Sequence, residues 1–572
     1  MTDELEIWAP HATEVAIETN GQRITARPGE GGVFRAKAPP PGVDYFILLD
    51  GERRPDPRSA WQPHGVHGAS QQIDHASFVW RDRDFRAPPL ASGVLYELHV
   101  GTFTPEGTYG SAAERLPYLA ELGVTHLELM PLATFPGDRG WGYDGVCLFA
   151  PHPAYGTPDD LKAFVSRAHE LGLGVLLDVV YNHLGPDGNY LGDFGPYFTD
   201  RFKTPWGPAV NLDGAHSDRV RRFFIDNARM WLRDYHLDGL RLDAVHAFAD
   251  GSARPFLEQL ADEVHALGVQ LSKPLVVIGE SDLNDPKLIR SVEAGGYGLD
   301  AQWSDDFHHA LHALLTREQS GYYADFGALA DVGRALRDGY VYAGRYSQHR
   351  KRVHGRSLGE LPGDRLLGYL QTHDQVGNRA RGERIGMLAS EGRVRIGAAL
   401  VLLAPFVPML FQGEEWLART PFCYFAVHRD PQLADAVRNG RRAEFAAFGW
   451  KPEDIPDPLA EDTFRRSVLR WDELERAPHA GVLAFYRALI ALRASTPELL
   501  DGRRDRIDVN WDDALGWLHI RRGPVSFLAN LGAQTVELPR PPGRCVLAYP
   551  GEPAEQHARI ALPPDACAIW RS

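Results

Sequence analysis

The sequence predicts an α/β chain: a TIM (β/α)8 barrel flanked by an N-terminal β-sandwich domain and a C-terminal β-sandwich domain. Three observations carry that expectation. From Val94 onward, apolar runs of strand length alternate with amphipathic helical stretches, the pattern of parallel βα units. Eight such runs occur, the number that closes a barrel. On either side of them the helical period disappears, and short apolar alternations are broken by Gly and Pro.

Taken in order, residues 1–88 give the first domain, with strands such as VAIE at Val15 and YFILL at Tyr45. The turn-rich PDPRSAWQPHGVHG, from Pro55 to Gly68, predicts a fixed loop packed on a surface. Residues 89–495 hold the barrel, whose expected strands are VLYELHV (Val94), THLELMP (Thr125), GVLLDVV (Gly174), GLRLD (Gly239), LVVIGE (Leu275), LDAQWS (Leu299), LLGYLQ (Leu366) and FVPMLFQ (Phe406). A doubly wound open sheet is the alternative topology, but no GxGxxG follows the first strand. Residues 184–215 lack a clear period and predict a long loop excursion over the site, and a second loop-rich stretch runs from Arg317 to His354. After an amphipathic helix ending near Ala494, the runs GWLHI, VSFLAN, VELP, CVLAY and CAIWR predict the second sandwich over 496–572.

Composition narrows the function. The chain has 572 residues, enough for about three or four domains. A net charge of −15 and the absence of any long basic run argue against binding nucleic acid, whose phosphates are held by Lys and Arg. The four cysteines, Cys147, Cys423, Cys545 and Cys567, are scattered without metal-ligand or disulfide-framework spacing and are expected to be reduced thiols. The acidic start MTDELEIWAP shows no signal peptide and no run approaches a membrane span, so a cytoplasmic protein with no membrane partner is expected.

The chemistry sits at strand ends. GLRLDAVH carries Asp243, VVIGESD carries Glu280 and QTHDQVGNR carries Asp374. A single carboxylate at a strand end is most often a solvated cap, but paired carboxyl groups are what glycosidic cleavage needs: one to attack or activate water, one to donate a proton. Arg241 precedes Asp243 by two residues, so both point to the same side of the strand and the guanidinium favours the ionised carboxylate. Glu280 is delivered by the apolar Val276, Val277 and Ile278, surroundings that favour its neutral form. His373 beside Asp374 offers a donor and an acceptor for sugar hydroxyls.

Together with DVVYNH, Asp178 to His183, these runs resemble the four sequence regions of the α-amylase superfamily, glycoside hydrolase family 13. The resemblance implies Asp243 as nucleophile, Glu280 as general acid/base and Asp374 as transition-state stabiliser. It places Arg241, His183 and His373 around the reacting sugar and Tyr143 of WGYDGV against the sugar's face, with Asp178 and Asn182 as supports. In the two loop stretches, Trp206 and Tyr323 are the candidate sugar contacts. The segments PDPRSAWQPHGVHG, LDAQWSDDFHHALHALLT with GYYADF, LFQGEEW with PFCYF, and VRNGRRAEF extend the likeness over nearly the whole chain. They resemble the branch of the superfamily that hydrolyses the α-1,4 bond next to a terminal α,α-trehalose. What that resemblance implies is a retaining hydrolase acting on maltooligosyltrehalose or a related α-glucan, a reaction that needs no redox or phosphate cofactor; calcium binds some relatives, but no Asp/Asn-rich ligand loop of the usual spacing is visible here, so no metal is expected. A branching enzyme, a general amylase and, from another class, a non-catalytic glucan-binding protein are the alternatives.

Overall fold

The computed structural model describes residues 4–446, 450–451 and 454–572, without the side chains of 444–446 at the end of the VRNGRRAEF segment. Residues 1–3 of the first expected domain likewise lie outside the description. Eight parallel strands close into a barrel: β1 (Leu95–Leu98), β2 (His126–Leu129), β3 (Gly174–Val179), β4 (Gly239–Leu242), β5 (Val276–Gly279), β6 (Ala301–Trp303), β7 (Leu366–Tyr369) and β8 (Val407–Phe411). Each pairs with the next, and β8 pairs with β1. All eight fall within the runs expected to form them.

Alternation along these strands sorts the barrel interior into two zones. Leu95, Leu176, Ile278, Trp303, Leu367, Tyr369 and Met409 pack into one buried apolar cluster. Two residues further along their strands, Leu95 gives way to Glu97 and Leu176 to Asp178, and Arg241 follows Gly239 in the same way. Gly239 is small because a side chain there would meet Val276 and Leu176 at under 3 Å. The barrel is therefore oily at its N-terminal end and charged at its C-terminal end, where barrel enzymes place their sites.

The flanking sheets are antiparallel. Before the barrel, Glu4–Trp8, Val33–Lys37 and Arg27–Pro28 form one sheet, and Gln22–Thr25, Val15–Thr19, Asp44–Leu49 and Glu52–Arg54 form a second, onto which Ser70–Gln71 also pairs. After it, a five-stranded sheet and a three-stranded sheet enclose Leu528, Val536, Leu538, Ile560, Leu562 and Trp570. The Pro55–Gly68 turn region is pinned at both ends: Asp56 accepts from Tyr45 at 2.6 Å, and His67 reaches Asp187 and Tyr190 of the barrel at 2.8 and 2.7 Å.

Two stretches expected to be loops hold regular structure. Residues 184–215 contain the short helix Leu191–Phe194 and a hairpin of Phe198–Thr204 with Gly207–Val210. The hairpin's first strand, FTDRFKT, has no buried residue, so it carries none of the apolar alternation by which strands are recognised. Between Arg317 and His354 lie the helix Leu329–Asp338, with Leu329, Val332 and Leu336 on its buried face, and the hairpin Ala343–Ser347 with Arg352–Gly355. Among the described residues, no helix is long and apolar enough to cross a membrane.

Candidate active site

The site is assembled at the C-terminal ends of the strands around one guanidinium. Arg241 is fully buried near the end of β4, and its Nη1 donates to both oxygens of Asp178 on β3, at 2.9 and 2.8 Å, and to Oδ1 of Asp243 at 2.9 Å. Its Nη2 faces Oε2 of Glu280 at 3.5 Å. The guanidinium lies 4.2 Å from the ring centre of Trp303, which fixes its plane. Asp243 and Glu280, just past adjacent strands β4 and β5, thus share one counter-charge.

Backbone geometry aims both carboxyl groups. Asp243 N–H still follows the ladder, donating to Val179 O at 3.1 Å, and Glu280 N–H donates to Leu242 O at 3.0 Å. Ala244 then turns into the left-handed region at φ 41°, a conformation a residue with a Cβ adopts rarely and at a cost. The turn points Ala244 N–H at Oε2 of Glu280, 2.5 Å away. Asn182 completes the frame by donating its side-chain amide to Oδ2 and the backbone carbonyl of Asp243, both at 2.7 Å. Its own carbonyl oxygen meets Nδ1 of His183.

Burial pushes the Glu280 carboxyl well above its ordinary range; Arg241 opposes this, and the nearby charge of Asp243 adds to it. Its Oε2 is taken by Ala244 N–H, so a proton on this group resides on Oε1. Asp374 opens the short helix His373–Gly377, where Asn378 donates to its Oδ1 at 2.6 Å. Glu280 and Asp374 line one cleft with Asp305, His309, Tyr322 and Arg350.

On the other side of Arg241, Tyr143 donates its hydroxyl to Asp178 Oδ2 at 2.6 Å and meets His373 Nε2 at 2.8 Å, the two rings stacked 5.1 Å apart. Trp206, at the tip of the 198–210 hairpin and 47% exposed, stacks on His183 with ring centres 4.8 Å apart. Tyr323, also expected to contact sugar, does not face the cleft. It is 2% exposed, bonded to His308 at 3.1 Å and stacked on His312, so it is packed inside the protein; its neighbour Tyr322 lines the cleft instead. Adjacent positions in the 3-10 turn Gly321–Tyr323 point in different directions, which sequence alone does not assign.

Sequence reading also passed over Glu97, Trp303, Asp305, His309 and Arg350. Arg350, in the basic run His349–Arg352, pairs with Asp282 at 2.9 Å and lines the cleft. Parity offered a signal for Glu97, since it sits in an apolar strand run in phase with inward-facing Leu95.

A family profile described as the α-amylase catalytic domain matches residues 75–195, and one described only as a domain of unknown function matches residues 502–569. The chain is 48% identical over 586 residues to the malto-oligosyltrehalose trehalohydrolase of Arthrobacter ramosus, covering all of both chains. It is 47% identical over 491 residues to that of Saccharolobus solfataricus, covering 85% of this chain and 84% of the relative. A crystal structure from Salmonella typhimurium, described as an alpha amylase, superposes with a TM-score of 0.91 at 38% identity, over 99% of this chain and 97% of that one. With full-length identity of this degree and the closed barrel carrying its charged end, the chain belongs to the malto-oligosyltrehalose trehalohydrolase family of the α-amylase superfamily.

Proposed function

We propose that this chain is a retaining α-glycoside hydrolase that cleaves the α-1,4-glucosidic bond next to the terminal α,α-trehalose of maltooligosyltrehalose and releases trehalose. The observation that carries the reading is the shared guanidinium: Arg241 bonds Asp243 and faces Glu280, while burial keeps Glu280 protonated. One carboxylate and one carboxylic acid side by side are what a retaining mechanism needs.

In the first step Asp243 attacks the anomeric carbon as Glu280 gives its Oε1 proton to the departing glycosidic oxygen. Glu280, now ionised, then takes a proton from the water that hydrolyses the glycosyl-enzyme, and its acid form is restored. Asp374 stabilises the oxocarbenium-like state by binding sugar hydroxyls more tightly as the ring flattens. Tyr143, His183, Arg241 and His373 form the reacting-sugar subsite, and Trp206, which covers His183, supplies an exposed aromatic face at its rim. The full-length likeness to trehalohydrolases favours the kinked trehalose end as leaving group over a linear one.

The test is product analysis on maltooligosyltrehalose and, separately, on maltooligosaccharides of equal length. Free trehalose should appear with kcat/KM at least about tenfold above that for the linear glucan, since each buried donor left unpaired costs about 1–3 kcal/mol. Equal rates, or new α-1,6 branch points, would point to an amylase or a branching enzyme.

A further inference from the structure

The charged layer inside the barrel continues beyond the residues that face the sugar. Glu97 sits near the top of β1, 1% exposed, and both of its oxygens hold one residue: Oε2 accepts from the backbone N–H of His373 at 2.9 Å, and Oε1 meets Nδ1 of the His373 ring. From there the contacts run on without a break. His373 Nε2 meets the Tyr143 hydroxyl at 2.8 Å, that hydroxyl donates to Asp178 at 2.6 Å, and Asp178 grips Arg241.

Counting protons along this chain fixes the state of His373. The Tyr143 hydroxyl has one hydrogen, and Asp178 takes it, so Tyr143 can only accept from Nε2. Nδ1 faces a carboxylate and must also donate. Both ring nitrogens therefore carry hydrogen, and His373 is an imidazolium whose buried charge is matched by Glu97. Burial alone would discharge the ring; the charge and hydrogen bond of Glu97 reverse that and raise its affinity for a proton.

We propose that Glu97 is a positioning residue for the reaction: it holds His373 charged and oriented, and through Tyr143 and Asp178 it fixes the guanidinium shared by Asp243 and Glu280. The proposal rests on the functional reading above. The role matches that of a buried carboxylate that orients a histidine without touching substrate.

The groups around the pair are His99, just past β1, Glu128 on β2, Asp178 on β3, Arg241 on β4, and Asp374 on the same turn as His373. Glu128 is the register partner of Glu97 across β1 and β2 and makes a built-in control. Neither of its oxygens has a hydrogen-bond partner among the described residues, and burial pushes its carboxyl strongly up, so it is neutral and carries no charge to give His373.

The experiment compares Glu97→Gln, Glu97→Asp and Glu128→Gln in the full chain, following kcat and KM from pH 5 to 9. Removing the Glu97 charge lets His373 lose its proton at lower pH, so the alkaline limb of kcat in Glu97→Gln should move down by about one pH unit or more. Glu97→Asp keeps the charge and should keep the limb while lowering kcat about tenfold through the shortened reach. Glu128→Gln should leave the limb in place. A limb in Glu97→Gln displaced by less than about half a unit overturns the proposal, because one unit is the scale of a lost neighbouring charge.

Should Glu97→Gln not fold, Glu97→Asp carries the test, and a kcat within about threefold of wild type overturns it. Asp243→Asn is assayed beside these variants on both maltooligosyltrehalose and linear maltooligosaccharide. Activity surviving there refutes the catalytic reading itself, whatever the Glu97 variants do.

Discussion

Replacing Arg241 by lysine keeps the positive charge and removes the geometry. The guanidinium makes three charge-assisted contacts of 2.8–2.9 Å from one nitrogen, faces Glu280 from a second, and lies over the Trp303 ring, 4.2 Å from its centre. A single ammonium on an unbranched stem can reach Asp178 or Asp243 with good geometry, but it has no second nitrogen for Glu280 and no plane to stack. One or two hydrogen bonds to charged groups are lost at about 1.5–3 kcal/mol each, and the desolvated ring contact at about 2 kcal/mol. A loss of ~3.5–8 kcal/mol follows, of which the share felt at the transition state should be ~3–4 kcal/mol, since Asp243 changes charge there in the proposed mechanism. We expect kcat/KM for trehalose release to fall about 10²–10³-fold, at roughly tenfold per 1.4 kcal/mol. KM should change less than kcat, because Arg241 is buried and its contacts are to Asp243 and Glu280, the groups proposed to react. The assay is initial-rate trehalose release, with urea unfolding run in parallel to separate activity from stability. An Arg241→Lys enzyme within tenfold of wild type would show that charge alone suffices, and the argument from shared geometry would fail.

Asp243→Ala should lose at least about 10²-fold in turnover with an unchanged far-UV spectrum, and a variant keeping more than a tenth of wild-type activity removes the nucleophile assignment. Glu280→Gln should be inactive on glucans but recover in part on a substrate whose leaving group needs no proton; no relative gain there would refute the acid role. Trp206→Ala should raise KM several-fold with kcat nearly unchanged, since the exposed ring covers His183 at the rim and an aromatic contact of this kind is worth about 0.5–1.5 kcal/mol; an unaltered KM would restrict Trp206 to anchoring the hairpin. Just past β8, burial pushes Glu414 from 4.5 to about 8 and Glu415 from 4.5 to about 7, so the folded chain binds these protons more tightly than the unfolded one. For acids shifted in this direction, stability is greatest below about pH 4.5 and is lost as pH rises toward 8. Glu414→Gln should flatten the fall in urea-unfolding stability between pH 6 and 8 by ~1 kcal/mol or more, and a slope equal to wild type would count against the shift.

The barrel was legible because its strands are apolar runs with helical stretches between them, a signal that does not depend on knowing the partners. The three carboxylates proposed to react stand out in the sequence for a different reason: each follows such a run, and their neighbours Arg241 and His373 travel with them. Tyr323 and Tyr322 mark where this fails. The two are identical residues on one short turn, and only the packing of Tyr323 against His308 and His312 decides which ring meets the cleft. The 198–210 hairpin was invisible because strands that bury nothing leave no period, and the helix Leu329–Asp338 was passed over inside a stretch dominated by aromatic and basic residues.

What the sequence withheld most completely is the depth of the site. Glu97 and His373 are separated by 276 residues and meet only because β8 closes against β1, bringing the end of β7 and the end of β1 around one axis. The alternation that fills the barrel with leucines then forces a choice at its upper end. Inward positions there must be either more hydrocarbon or polar groups that satisfy one another, because a single buried charge would be prohibitively costly. The chain takes the second course, with Glu97 against His373 and Asp178 against Arg241, and leaves Glu128 protonated. A buried network of this kind contributes little net stability compared with well-packed apolar residues, and breaking one member strands its partner. Its presence is therefore better explained by the work we propose it does for Asp243 and Glu280 than by any net gain in stability.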